Sequence, residues 1–116
     1  IVSTTGAGFI LDSQLTAGTA YHMPFYGGSA TNSTVSTAVN SGVIAVAAES
    51  DILRIEIDPN GTARWYINGV LKQTQAGAVS TTTLLAAFVG MFGTTTTAAD
   101  VDCDYLLVEA NRDWTR

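Results

Sequence analysis

Residues 52 to 71, ILRIEIDPNGTARWYINGVL, leave few folds open to this chain. Leu53, Ile55 and Ile57 alternate with Arg54, Glu56 and Asp58, a period of two that gives an extended strand one apolar and one charged face. Pro59-Asn60-Gly61 follows. Proline presets φ for the first corner of a type I turn and glycine accepts the left-handed backbone that closes it, so the chain must reverse here. On the return run Ala63, Trp65 and Ile67 share one face and Arg64, Tyr66 and Asn68 the other. Asn68-Gly69 is then a second reversal, of the tight kind that needs positive φ at both central residues. The stretch therefore predicts three antiparallel strands, with Trp65 in the core and Tyr66 exposed.

The same period, or short apolar runs, recurs along all 116 residues, and no stretch sustains the i, i+3, i+4, i+7 spacing of an amphipathic helix. The expected strands are 8–11, 19–26, 34–39, 43–47, 52–58, 62–67, 70–74, 83–91 and 101–109. They are punctuated by Gly27-Gly28-Ser29, Asn40-Ser41-Gly42, Pro59-Asn60-Gly61, Asn68-Gly69, Ala76-Gly77 and Gly93 with the Thr94 to Thr97 run. Turns at such intervals predict an all-β fold, a sandwich or barrel. The Thr94 to Thr97 run reads as a loop or strand edge.

A chain of this length is the size of one domain, expected to span residues 1–116. Only 13% of the residues are charged against 47% hydrophobic, and the remainder is rich in Thr, Ser, Ala and Gly. That surface suits a protein packed against copies of itself, and also many secreted β-domains. The net charge of -5, with Arg54, Arg64, Lys72, Arg112 and Arg116 as the basic residues, supplies no stripe to neutralise phosphates, so nucleic acid is not an expected partner. No apolar run approaches the ~18 to 20 residues of a spanning helix, so no membrane is expected. Cys103 is the sole cysteine, which excludes an internal disulfide and a Cys-based zinc site. The sequence starts at Ile1, without an initiator Met or a basic leader, and is expected to be processed or to belong to a longer polypeptide.

The strand LRIEID, its turn, the return strand WYINGVL, the Ala-Val-Ser-Thr-x-x-Leu segment beginning at Ala78 and the terminal DxDYLxVxAxR from Asp102 resemble the concanavalin A-like jelly-roll superfamily. The likeness runs from about Asp51 to Arg112 and is nearest to the compact domains in structural proteins of tailed bacteriophages. It implies a two-sheet antiparallel β-sandwich of jelly-roll type. Within residues 1 to 50, GFILDS is the best match to a core strand. Domains of this type carry further strands before that point, which implies a chain that starts inside the domain or a reduced sandwich whose open edge a neighbour covers. One such sandwich hosts lectins, glucanases, adhesion modules and virion decorations, so function has to be read from sites.

Glucanases of the superfamily place Glu-x-Asp-x-(x)-Glu on one strand, where two carboxylates flank the scissile bond. Glu49-Ser50-Asp51 begins in that way, but Ile52, Leu53 and Arg54 stand where the second Glu should be. Asp100, Asp102 and Asp104 fall on one face of the expected last strand, about 7 Å apart. They have no neighbouring aromatic cluster to stack a sugar, and they form a candidate Ca²⁺ site only if loops add the further oxygens that a hard cation needs. The plainer reading is a solvated face or ion pairs at a subunit contact. His22 has no second His or Cys near it and reads as packing; Tyr21, Met23 and Phe25 form a stripe that reads as core. Cys103, with Val101 and Tyr105, is expected to be a buried, inert thiol. No glycine-rich phosphate loop opens a helix, so nucleotide binding has no support.

Leu106 and Val108 add apolar groups to the aspartate face of that strand, a patch that another subunit or the tail around Trp114 must cover. Two functions follow. The first is a non-enzymatic structural protein of a phage virion, as a capsid decoration, head fibre or tail-associated domain at the virion surface. Its partners would be copies of itself, most plausibly as a homotrimer through Leu106 and Val108, and other virion proteins such as the major capsid protein. The second is an extracellular carbohydrate-binding module recognising cell-surface glycans, with Tyr66 or the Tyr21 to Tyr26 aromatics as the stacking platform and Asn68 as the polar neighbour of Tyr66.

Overall fold

The structure, a computed structural model, describes residues 5–11, 24–31, 34–35, 38–46, 48–82, 85–89 and 102–110. It divides into two units, Ile1–Leu84 and Leu85–Arg116. The first unit is all-β, with two antiparallel sheets and, among the described residues, no helix.

One sheet has four strands, β1 (Gly6–Ile10), β2 (Pro24–Thr31), β3 (Thr34–Val35) and β4 (Val39–Ile44). β2 lies in its middle. β1 pairs along one edge, from Gly6 opposite Ala30 to Ile10 opposite Tyr26, while β3 and β4 share the other. The second sheet is a three-strand meander of β5 (Leu53–Ile57), β6 (Ala63–Ile67) and β7 (Val70–Gln75).

The meander forms where the sequence predicts it. Ile57 pairs with Ala63 across the Pro59-Asn60-Gly61 turn, in which the Gly61 amide donates to Asp58 O at 2.9 Å and Gly61 sits at φ 82°. Ile67 pairs with Val70 across a two-residue turn with Asn68 at φ 51° and Gly69 at φ 80°, the type I′ signature. Lys72 is an extra residue opposite β6, between the pairs Tyr66–Leu71 and Trp65–Gln73. That bulge turns Gln73 and Gln75 towards the core side and Leu71 and Thr74 away from it.

Period two segregates β6 cleanly: Ala63, Trp65 and Ile67 are buried, and Arg64 and Tyr66 lie on the opposite face. Trp65 is 0% exposed. It packs with Ala63, Ala78 and Val79, and Ala7, Phe9 and Ile55 close around them. The indole nitrogen donates to Gly8 O of β1 at 2.9 Å, which satisfies the one polar atom of a buried ring and ties the sheets together. Phe9 and Phe25 meet edge to face at 6.4 Å. On the β7 side the layer between the sheets is polar. Gln75 Nε2 donates to Ser29 Oγ at 2.9 Å, and the Gln73 amide oxygen lies over Gly27, where a β-carbon would also meet Trp65 Cδ1 at 3.2 Å. These contacts are consistent with a β-sandwich.

Three sequence expectations need correction. Gly27-Gly28-Ser29, read as a turn, lies inside β2, where the missing β-carbon of Gly27 lets Trp65 and Gln73 approach the backbone and Gly28 lies against Ala38. Asn40-Ser41-Gly42, also read as a turn, lies inside β4. Between the pairs Pro24–Ile44 and Tyr26–Asn40, β4 advances by two residues more than β2. Asn40 Oδ1 accepts from the Gly42 amide at 2.8 Å and Ser41 Oγ from Val43 at 3.1 Å, so the local hydrogen bonding that would form a turn forms a bulge instead. Finally, residues 85–89 and 102–110 are not in strands. Alternation names the side chains that could share a face, but a strand exists only with a ladder partner, and none pairs with these segments among the described residues. Residues 19–23 of the expected second strand and the Thr94 to Thr97 run lie outside the described residues.

Candidate functional site

The face of the meander turned away from the core carries a connected set of polar side chains. Arg54 on β5 lies directly opposite Tyr66 on β6, and Glu56 opposite Arg64. The Arg54 guanidinium carbon stands 4.1 Å from the centre of the Tyr66 ring, a cation–π contact. Tyr66 Oη donates to Glu56 Oε2 at 3.1 Å, and Arg54 reaches Glu56 Oε1 at 3.5 Å. Tyr66 is consequently half-buried, less open than its place on an outer face implies.

At the turn end, Arg64 grips Asp58 with its two terminal guanidinium nitrogens, at 2.9 and 2.6 Å. The hydrogen bonds from Arg64 hold the Asp58 carboxyl below the usual aspartate range and those to Asp58 hold Arg64 above the usual arginine value. At the other end Asn68 is tied to the segment before β5. Its amide donates to Ile52 O at 2.9 Å, its Oδ1 accepts from the Ile52 amide at 2.9 Å, and its Nδ2 donates to Asp51 Oδ1 at 2.8 Å.

Of the two candidate sugar contacts, Tyr66 therefore has Arg54 on its ring and Glu56 on its hydroxyl, and Asn68 closes the hairpin register with both ends of its side chain. The sequence puts Arg54 and Glu56 on the charged face and Asp51 before the strand, but alternation alone does not pair them with Tyr66 and Asn68. The first of these pairings is legible in the sequence: a turn that places Ile57 opposite Ala63 also places Arg54 opposite Tyr66.

Glu49, Ser50 and Asp51 precede β5 in irregular backbone, and the Asp51 carboxylate serves Asn68. Asp102 and Asp104 are exposed in the second unit, outside any strand, and Asp100 lies outside the described residues; among the described residues no group of three His, Cys, Asp or Glu gathers to hold a metal. Leu106 and Val108 are exposed, and so are Tyr105 and Leu107, which the alternation placed on the opposite face. Cys103 is likewise exposed, with Sγ on Tyr105 O at 3.5 Å, which corrects the expectation of a buried thiol: without a ladder the alternation sorts nothing. Phe25 is core as expected, whereas Tyr21, His22, Met23 and Val101 lie outside the described residues.

The large apolar side chains left exposed in the first unit include Leu53 and Ile57 at the edge of the meander, Val70 and Leu71 on β7, Ile44 at the end of β4 and Val46 just after it. Compared with protein-family models, with curated proteins and with solved structures, the chain finds no match.

Proposed function

We propose that this chain is a non-enzymatic structural subunit of a tailed-phage particle: a jelly-roll sandwich, serving as capsid decoration, head fibre or tail-associated domain at the virion surface. It acts through contacts with copies of itself, as a homotrimer, and with neighbours such as the major capsid protein. The supporting observation is the amount of large apolar side chain left open, from Leu53, Ile57 and Val70 in the first unit to Leu106 and Val108 in the second. Patches of that kind mark surfaces meant to be covered by protein. The outer face of the meander, by contrast, has its charges paired within the subunit, which favours packing over catalysis.

Mass measurement of native material and of the Leu106→Asp variant tests this reading. A defined oligomer or a particle containing the chain, with assembly lost in the variant, is the expected result; a monomer unaffected by the substitution, with no particle found, would overturn it. The second reading, a glycan-binding module, is favoured by one observation, the presence of Tyr66 on the outer face. Glycan-array binding that is lost in Tyr66→Ala would put it first.

A further inference from the structure

The free edge of β5 has a property that its sequence and its hydrogen-bond parity reveal together. β6 pairs along one side of β5, and no strand among the described residues pairs along the other. Both polar groups of Ile52 bond towards β6, at Asn68, and the Asp58 amide bonds to Thr62 O at 2.8 Å. In an antiparallel ladder the backbone groups of successive residues point to alternate sides. Arg54 and Glu56 therefore share the inward orientation of Ile52 and Asp58, and Leu53, Ile55 and Ile57 aim their N–H and C=O groups out of the free edge.

Those five residues read apolar, basic, apolar, acidic, apolar. Reversed, they read the same except that the charges exchange sign, so the strand is complementary to itself in the antiparallel sense. We propose that β5 pairs edge to edge with β5 of a second copy of this chain, around a two-fold axis at Ile55. In that register Ile55 faces its own counterpart, and Leu53 faces Ile57 of the second copy in both directions. Each of these residues has the outward backbone groups that a ladder pair requires. Arg54 then lies opposite Glu56 of the second copy, twice, in the closer, non-hydrogen-bonded type of pair. Sliding the strands by two residues either way sets Arg54 against Arg54 or Glu56 against Glu56, and like charges directly opposite disfavour both registers.

The contact also covers what the isolated sheet leaves open. Leu53 and Ile57 are 40% and 41% exposed on the core side of β5, and the second copy supplies the apolar side chain each lacks. It joins two three-stranded sheets into one of six and removes the unpaired edge that otherwise invites indiscriminate pairing. A five-residue edge lies below the ~800 Å² per partner of a standard interface, so association is concentration-dependent. This proposal deepens the reading of the chain as a repeated subunit, and it concerns a different surface from Leu106 and Val108.

A charge exchange tests it. Wild type is expected to dimerise in sedimentation experiments between about 10 μM and about 1 mM, the range suited to a sub-standard interface. Arg54→Glu and Glu56→Arg, both on the outer face, should each weaken association about tenfold or more, since each sets two like-charged pairs across the axis. Mixing the two variants in equal amounts should restore dimers, and native mass spectrometry should find them to be the mixed species. The double variant Arg54→Glu/Glu56→Arg should associate like wild type. A wild type that stays monomeric throughout, whether because another segment of its own chain covers the edge or because nothing does, overturns the proposal. So do single variants that associate normally, or a mixture that does not recover. Leu106→Asp should leave this contact intact, so failure here and failure of the subunit reading are told apart.

Discussion

Gly61 and Gly69 close the two turns of the meander with nearly the same backbone, at φ 82° and φ 80°, and they differ in what surrounds them. Around Gly69 a β-carbon would meet nothing within 4 Å, whereas at Gly61 it would run into the Val79 carbonyl oxygen. That oxygen cannot swing aside as a side chain could, because Val79 is buried and its amide donates to Gly61 O at 3.1 Å. Substituting alanine at either position imposes the left-handed penalty of a β-carbon, roughly 1 to 2 kcal/mol. At Gly61 an overpacking penalty of about 1 to 3 kcal/mol is added. Gly69→Ala is thus expected to destabilise by about 1 to 2 kcal/mol and Gly61→Ala by about 2 to 5 kcal/mol. Urea melts of both variants and wild type, fitted with a common slope, measure the difference directly. Equal losses would refute the argument, because they would mean that the segment through Val79 does not lie against the first turn.

Trp65→Ala should cost about 3 to 5 kcal/mol in the same melts and Tyr66→Ala less than about 1.5 kcal/mol, since one ring fills the core and the other lies on the outer face; similar small losses would reverse the faces. Because Arg64 lowers the Asp58 pKa on folding, that carboxylate stabilises the fold above the ordinary aspartate value of 3.8 and loses its contribution as pH falls through its lower folded value. The stability gap between wild type and Asp58→Asn should therefore be flat near neutral pH and close in that acid range, and a gap independent of pH down to 2 would exclude the linkage. If Asp100, Asp102 and Asp104 hold Ca²⁺, calcium should raise Tm in wild type and not in Asp102→Asn; no rise removes the metal reading. No β-glucan should be turned over, given Leu53 and Arg54 where a glucanase needs its second acid; turnover abolished in Asp102→Asn would reverse that conclusion.

The meander was legible because everything that determines it is local. Alternation over Leu53–Ile57 and Ala63–Ile67 names the faces, two turns with unambiguous backbone demands set the register, and Trp65 takes the core position that follows. The four-stranded sheet was less legible, because Gly27 acts there through space. Its meaning lies in Trp65 and Gln73, remote in sequence, and a local reading can only take consecutive glycines for a turn. The candidate site shows the same division. Tyr66 was placed on the outer face by alternation alone, but its state depends on Arg54 and Glu56 across the ladder. Cys103 and Leu106 were sorted to opposite faces of a strand whose partner no local pattern could supply.

The hydrogen bonds between the sheets carry a consequence for how such a chain can change over generations. Greasy layers tolerate exchange of one aliphatic group for another and even small sliding, because the attraction between them has no direction. The bonds from Trp65 to Gly8 O and from Gln75 to Ser29 do have direction, and the glutamine side chain of residue 73 occupies the space that Gly27 leaves. Ser29 and Gln75 are thereby coupled: substitution of either breaks a directed bond against the buried Ser29, and the neutral route is to replace both. Gly27 can gain a side chain only after residue 73 has shortened and the indole has given way. Among descendants of this sequence, substitutions at these cross-sheet positions should arrive in pairs, while the aliphatic positions of β5 drift singly.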